Sequence, residues 1–218
     1  MPPDDGEFRL VRVRGQLVRV RAGPSQQEIE AALAEREARA ATSAAFAAGL
    51  PASFAQDDPR ALLLLDVDGV VCPYGGELAD PEEAGLRQVS VGYRPVWLSP
   101  EVGGHLERLR RSFQLVWCTA WEDDAAEFLA PFLGLPALPV MHFDEPAAAD
   151  CHWKWPAIEA FVGDRPFAWL DDEIRRDDLA RAERRSVPTL LVRVEGTHGL
   201  QDAHVAQLEA FAEKLRGC

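Results

Sequence analysis

Two hydrophobic patterns divide the chain. Over residues 8–21, FRLVRVRGQLVRVR, apolar and polar positions alternate on both sides of Gly15–Gln16. Alternation of that kind is the period of a half-buried strand, and glycine at the first turn position suits a two-residue β-hairpin. Pro24–Ser25 then precede QQEIEAALAEREARAATSAAFAAGL. This run, rich in Ala and Glu, predicts a helix ending near Gly49–Leu50–Pro51. Residues 51–60 read as a linker, so residues 1–60 are expected to be a β-hairpin plus helix ahead of the main domain.

From residue 61 the period changes. Short apolar runs at 61–66, 113–118, 138–143, 166–171 and 188–194 alternate with amphipathic stretches near 99–112, 121–133, 153–163, 173–185 and 201–216. Runs such as LLLL and FAWL are apolar at every position, as strands covered on both faces are. Strand–helix alternation predicts an α/β fold over 61–218: a Rossmann-like, three-layer α/β/α sandwich on a mainly parallel five-stranded sheet. Between 72 and 98, LRQVSVGYRPVW reads as a β-hairpin turning near Gly92. Ligands of such sheets lie beyond the carboxyl ends of the strands. Polar residues gather at those ends: Asp66 and Asp68 after the first strand, Thr119 after the second, Asp171 and Asp172 after the fourth.

Composition narrows the function classes. The chain has 218 residues, 47% hydrophobic and 27% charged, which is globular. No apolar stretch approaches the ~20 residues that span a bilayer. The opening MPPDDGEFRL lacks the basic start and apolar core of a secretory signal. A cytoplasmic protein with no membrane partner is expected. The net charge is -13; residues 1–60 hold 8 Lys/Arg against 9 Asp/Glu, leaving 15 against 27 on residues 61–218. An acidic surface repels a phosphate backbone over long range, so nucleic acid is an unlikely partner. A divalent cation reverses that sign locally. Cys72, Cys118, Cys151 and Cys218 form no C-x-x-C pair, so reduced, mostly buried thiols are expected rather than a zinc site. The five histidines, at 105, 142, 152, 198 and 204, show no metal-ligand spacing.

The strand ends carry the candidate chemistry. In LLLLDVDGVV a buried strand runs into Asp66 and Asp68, which a regular strand would point to one side, and Gly69 permits a sharp turn. Two close carboxylates require either a protonated partner or a metal. The tetrapeptide alone also suits an ordinary turn or a calcium loop. In LVWCTAW, Thr119 closes a strand just before a helix, where a hydroxyl and free N–H groups make an anion site or a simple N-cap. In HWKWP, Lys154 opens a helix, a position the macrodipole disfavours for a cation. In FAWLDDE, acids follow a strand and offer the oxygen ligands that Mg²⁺ prefers, or first-turn acids of a helix.

Taken in order, Asp-x-Asp, Thr, Lys and Asp-Asp resemble the haloacid dehalogenase (HAD) superfamily over about 61–195, most of whose members are phosphatases. The resemblance implies that Asp66 is a nucleophile forming an aspartyl-phosphate, and Asp68 a general acid and then base. It implies phosphate binding by Thr119, Ala120 and Lys154. It also implies Mg²⁺ held by the Asp66 carboxylate, the Asp68 carbonyl and Asp171, with Asp172 as ligand or supporting partner. Dehalogenase-type relatives lack the second aspartate, which favours a phosphatase. Val70 stands where many relatives carry Thr, and the doublet leaves the division of roles between Asp171 and Asp172 open.

The 35 positions from Thr119 to Lys154 are filled by a helix and a strand, so the resemblance is to the cap-less class. Residues 1–60 would either cover the site or pack elsewhere. Trp121, Trp153 and Trp155 would lie near it, either stacked on a planar substrate group or packed in the core. The expected function is Mg²⁺-dependent hydrolysis of a phosphomonoester whose identity is open, as is self-association into a homo-oligomer. The alternatives are a phosphotransferase or nucleic-acid end phosphatase, or a phosphate-binding module that retains the fold without catalysis.

Overall fold

The computed structural model describes residues 8–13, 16–21, 58–77, 80–92, 94–143 and 152–217. The chain divides into two compact units, residues 1–53 and 54–218. In the first, β1 (Phe8–Val13) pairs antiparallel with β2 (Gln16–Arg21), Val13 opposite Gln16. Gln16 is therefore a strand residue rather than part of the turn expected at Gly15–Gln16. The polar–apolar alternation runs on through Gln16–Leu17, so the strand takes Gln16 in. The helix expected after Pro24–Ser25 and the linker residues 51–57 lie outside the described residues.

The second unit is built on β3 (Ala61–Leu65), β4 (Arg87–Val91), β5 (Arg94–Leu98), β6 (Phe113–Trp117), β7 (Phe167–Asp171) and β8 (Thr189–Arg193). Four of these make one parallel sheet in the order β6-β3-β7-β8, while β4 and β5 pair antiparallel as a separate hairpin. Every residue of β3, β6 and β7 is buried, polar Gln114 and Asp171 included, as the mainly apolar sequences of these strands predict.

The sheet is covered on both faces. On one, Leu63, Leu65, Leu115 and Leu170 pack with Leu106 and Leu109 of α1 (Val102–Arg110) and with Val205 and Leu208 of the C-terminal helix Asp202–Arg216. On the other, Leu62, Leu64, Val116 and Trp169 pack with Trp155, Ile158 and Val162 of α2 (Trp155–Val162) and with Ala182 of α3 (Arg176–Glu183). Numbering the C-terminal helix α4, the architecture is a three-layer α/β/α sandwich with α1 and α4 on one side, α2 and α3 on the other.

Two elements differ from expectation. The fifth strand at 138–143 reduces to a single parallel bridge between Trp117 and Val140. Trp117 N donates to Pro139 O at 2.8 Å and Met141 N to Trp117 O at 2.8 Å, and the pairing stops there. Pro136 and Pro139 have no N–H to extend the ladder. The helix expected at 121–133 begins at 123, and its middle, Ala125–Leu129, is a π turn running into Ala130–Phe132. Pro131 lacks the N–H that regular α-bonding needs, which favours a wider turn before it. Cys72 and Cys118 are buried and free, whereas Cys151 and Cys218 lie outside the described residues. Among the described residues, no helix is long and apolar enough to cross a membrane.

Leu64 has no solvent exposure and packs between β6, β7 and α2. Leu64→Ala is expected to cost about 2–5 kcal/mol, the range for a truncation that leaves a cavity. A lower urea midpoint at unchanged m-value would show it.

Candidate active site

Sheet register puts the acids side by side. Leu65 pairs with Trp117 on one flank and Leu170 on the other, so Asp66, Cys118 and Asp171 follow at one level. Beyond Asp66 the chain turns at once. The carbonyl of Val67 accepts from Val70, Val71 and Cys72 N–H groups at 3.2, 2.9 and 2.8 Å. Gly69 makes this possible with φ of 72°, and a Cβ there would stand 2.5 Å from Asp172 Oδ2. The Asp-x-Asp-Gly turn thus abuts the Asp172 carboxylate.

Lys154 closes the group from the helix side. It precedes α2, is 2% exposed, and reaches Asp66 Oδ2 at 2.8 Å and Asp171 Oδ2 at 2.7 Å with one ammonium. Asp66 Oδ1 accepts from Val67 N at 2.8 Å, and Asp171 Oδ1 from Glu173 N at 2.9 Å. Carboxylate oxygens of Asp66, Asp171 and Asp172 lie within 4.8 Å of one another. Three carboxylates around one ammonium leave an excess of negative charge on hard oxygen donors, and that set fits Mg²⁺.

Asp68 is held separately. Its Oδ2 accepts a hydrogen bond from Trp121 Nε1 at 3.0 Å. Thr119, fully buried, accepts from Trp121 N at 3.3 Å, and Ala120 beside it is exposed. The chain then turns through Glu122, a non-glycine residue at φ of 47°, a conformation that costs free energy and recurs at functional sites. Because the helix starts only at 123, its N–H groups begin further from Thr119 than the sequence suggested.

A family model described as the HAD domain in Swiss Army Knife RNA repair proteins matches residues 62–205. The chain belongs to this HAD family. The match runs from β3 into α4 and takes in all six acid, threonine and lysine positions of the site. No curated protein matches the chain.

The electrostatics of this HAD site follow from burial and sharing. Burial pushes the Asp66 carboxyl up to about 7; the Lys154 ammonium opposes the rise, and the charge of Asp171 adds to it. Asp172 is also raised, by burial first and then by Asp171. Burial acts against the charge of Lys154 too, but Asp66 and Asp171 outweigh it and hold the amine protonated. The directions agree: Lys154 has two anions, whereas Asp66 has half of one cation.

Lys154 is itself positioned. Its backbone N–H donates to His152 Nδ1 at 3.2 Å, so the proton of this neutral ring sits on Nε2. Burial lowers the His152 pKa, which keeps the ring neutral. Buried Asp178 accepts from His152 N at 3.2 Å, Trp155 Nε1 at 2.7 Å and Arg175 N at 2.8 Å. Trp155 is therefore a core residue, edge-on to Trp169 at 5.5 Å, and has no face for substrate. Trp121 is equally occupied by Asp68. Trp153, half-buried, lies against Phe143 and Lys154.

Two residues near the site carried no sequence motif. Tyr74 is 38% exposed, and a Cβ on Gly196 would stand 2.9 Å from its ring and 3.0 Å from Asp172 Oδ2. The phenol is thus at the rim of the acidic group, and burial followed by Asp172 raises its pKa. Arg94 of β5 lies over Trp121, 4.7 Å from the ring centroid. A cavity of about 970 Å³ lies elsewhere, bordered by Arg87, Glu101, His105 and Asp202 but by none of the site carboxylates. There Asp202 meets His105 and Arg108, each at 3.3 Å, a tie between α1 and α4.

Two outcomes follow for the metal-free protein. Asp66 rises from 3.8 to about 7, so within that window the folded state holds a proton that the unfolded state has released. Its contribution to stability therefore falls as pH increases from 3.8 to about 7. In chelator, the unfolding free energy of the wild type minus that of Asp66→Asn should fall as pH rises across this window; denaturant unfolding at several pH values reads it, and a rise contradicts the assignment. Gly69→Ala must place a side chain at positive φ and displace the Asp172 carboxylate. It should lose roughly 1–2 kcal/mol from backbone strain alone and weaken Mg²⁺ binding in a calorimetric titration.

Proposed function

We propose that this chain is a Mg²⁺-dependent phosphatase that hydrolyses a phosphomonoester through an aspartyl-phosphate on Asp66. The observation that carries the reading is the buried ammonium of Lys154, 2.8 Å from Asp66 and 2.7 Å from Asp171. Such a cation beside a nucleophile offsets the repulsion between a carboxylate and an anionic phosphate.

In the first half of the reaction an Asp66 oxygen attacks phosphorus and the bond to the leaving oxygen breaks. Asp68, protonated, gives its proton to that oxygen, so the alcohol departs neutral and Asp68 becomes a carboxylate. In the second half Asp68 takes a proton from water, the water oxygen attacks phosphorus, and the Asp66–phosphorus bond breaks. Inorganic phosphate leaves and both carboxyl groups return to their starting states. Lys154 holds a phosphoryl oxygen throughout, and Thr119 and Ala120, at the end of β6, bind the others. Asp66, the Asp68 carbonyl, Asp171 and Asp172 would hold Mg²⁺, which supplies charge neutralisation for the transferring group.

A second reading names the substrate as the phosphorylated end of an RNA strand. The description of the family, whose members are domains of RNA repair proteins, favours it. The net charge of -13 favours a small monoester instead, because it weakens long-range attraction of a polyanion.

The test is turnover of 4-nitrophenyl phosphate and of 5′- and 3′-phosphorylated RNA oligonucleotides. Activity is expected with Mg²⁺, lost in chelator and restored on re-addition. Asp66→Asn should lower kcat by roughly 10³-fold or more, and Asp68→Asn by about 10²–10⁴-fold. Full activity in Asp66→Asn would sink the mechanism. A kcat/KM for either RNA end that exceeds the small ester, and that falls with salt, decides for the second reading.

A further inference from the structure

The hairpin β4–β5 is fastened to the segment that follows β6, and that segment holds the acid/base. Three contacts make the attachment. A Cβ on Gly92, at the hairpin turn, would stand 2.9 Å from the Phe128 ring, so backbone and ring are in close contact. Arg94, the next described residue, lays its guanidinium over the Trp121 ring at 4.7 Å. The same guanidinium pairs with Asp124 at 3.0 Å. Trp121 is 6% exposed, and its single polar atom is spent on Asp68 Oδ2 at 3.0 Å.

The chemistry of that bond is one-directional. An indole N–H donates and never accepts. While it is made, Oδ2 of Asp68 serves as the acceptor; the carbonyl oxygen of a carboxylic acid accepts better than its hydroxyl oxygen, so the bond favours the carboxyl proton on Oδ1. The bond also fixes the rotation of the carboxyl group about Cβ–Cγ. An acid that must deliver a proton to a leaving oxygen, then collect one from water, gains from having one oxygen assigned to that work.

We propose that Trp121 is the positioning residue of Asp68, selecting Oδ1 as the proton-carrying oxygen, and that Arg94 couples this arrangement to the β4–β5 hairpin. The proposal rests on the phosphatase reading above. Neither residue touches the reacting atoms. Each acts through Asp68, so its loss should matter most where the leaving group needs a proton. Activated aryl esters depart as stable anions and need little help, whereas alkyl esters depart as strongly basic alkoxides.

The experiment uses the full chain with Mg²⁺ and two measurements. The first is the ¹⁵N-indole spectrum of the wild type. The Trp121 Nε1–H signal, assigned by its loss in Trp121→Phe, is expected to move in Asp68→Asn and in Arg94→Gln. An unmoved signal in Asp68→Asn overturns the hydrogen bond, and one unmoved in Arg94→Gln overturns the coupling to the hairpin. The second is kcat/KM for an alkyl phosphate and for 4-nitrophenyl phosphate. In Trp121→Phe, which keeps an aromatic ring under Arg94, the alkyl ester should fall at least about tenfold further than the aryl ester, a modest share of what acid–base catalysis contributes. Arg94→Gln should shift the ratio in the same direction by less. An unchanged ratio in Trp121→Phe means that the residue only packs, and overturns the positioning role while leaving Asp66 chemistry intact. A wild type that turns over neither ester brings down the phosphatase reading, and the positioning role with it.

Discussion

A buried ammonium organises this molecule. Taking the charge of Lys154 out of water costs several kcal/mol, and only close anions offset that cost. Asp66 at the end of β3 and Asp171 at the end of β7 provide them, at 2.8 and 2.7 Å. The dependence is mutual, since two carboxylates at adjacent strand ends repel each other without a cation between them. One side chain from the start of α2 therefore ties two neighbouring strands of the sheet to the helix layer. The apolar packing of Trp155, Ile158 and Val162 and the hydrogen bonds gathered by Asp178 hold that helix start in place. The same arrangement leaves negative charge uncompensated around Asp66, Asp171 and Asp172, and an excess of that kind on oxygen donors suits a divalent cation. Fold stability and site chemistry thus depend on one contact.

Much of this was legible in the order of residues. Unbroken apolar runs predict strands covered on both faces, and acids at their ends must then share one edge of the sheet. Lys154 was legible from a conflict: a cation at a helix start runs against the macrodipole, and the structure gives the reason in its two carboxylates. What failed did so where a local rule depends on single residues. Apolar periodicity predicted a strand at 138–143, yet Pro136 and Pro139 remove the donors a ladder needs. It predicted a regular helix after Thr119, yet Pro131 and the turn through Glu122 delay and widen it. For Trp155 the sequence left two readings open, stacking on substrate or packing in the core; one step along the helix start from Lys154 points it into the core.

The bond from Trp121 to Asp68 could not be read from periodicity at all. It joins a residue four past the end of β6 to one three past the end of β3. Its existence depends on the turn of each segment, one through Gly69 and the other through Glu122, both at positive φ. The hairpin that presses on Trp121 stands in the stretch between β3 and α1. The family description points toward RNA repair, the whole-chain charge away from a polyanion; the two concern different length scales, a local site and an averaged surface.

The central claim is that Asp66 forms a covalent bond to phosphorus. The direct measurement is an acid-quenched reaction of the Asp68→Asn variant with Mg²⁺ and 4-nitrophenyl phosphate, followed by intact and peptide mass spectrometry. Removal of the base should slow water attack on the intermediate, so the chain is predicted to gain one phosphoryl group, mapped to Asp66. Nitrophenol release with no adduct, or an adduct on any other residue, would contradict the account.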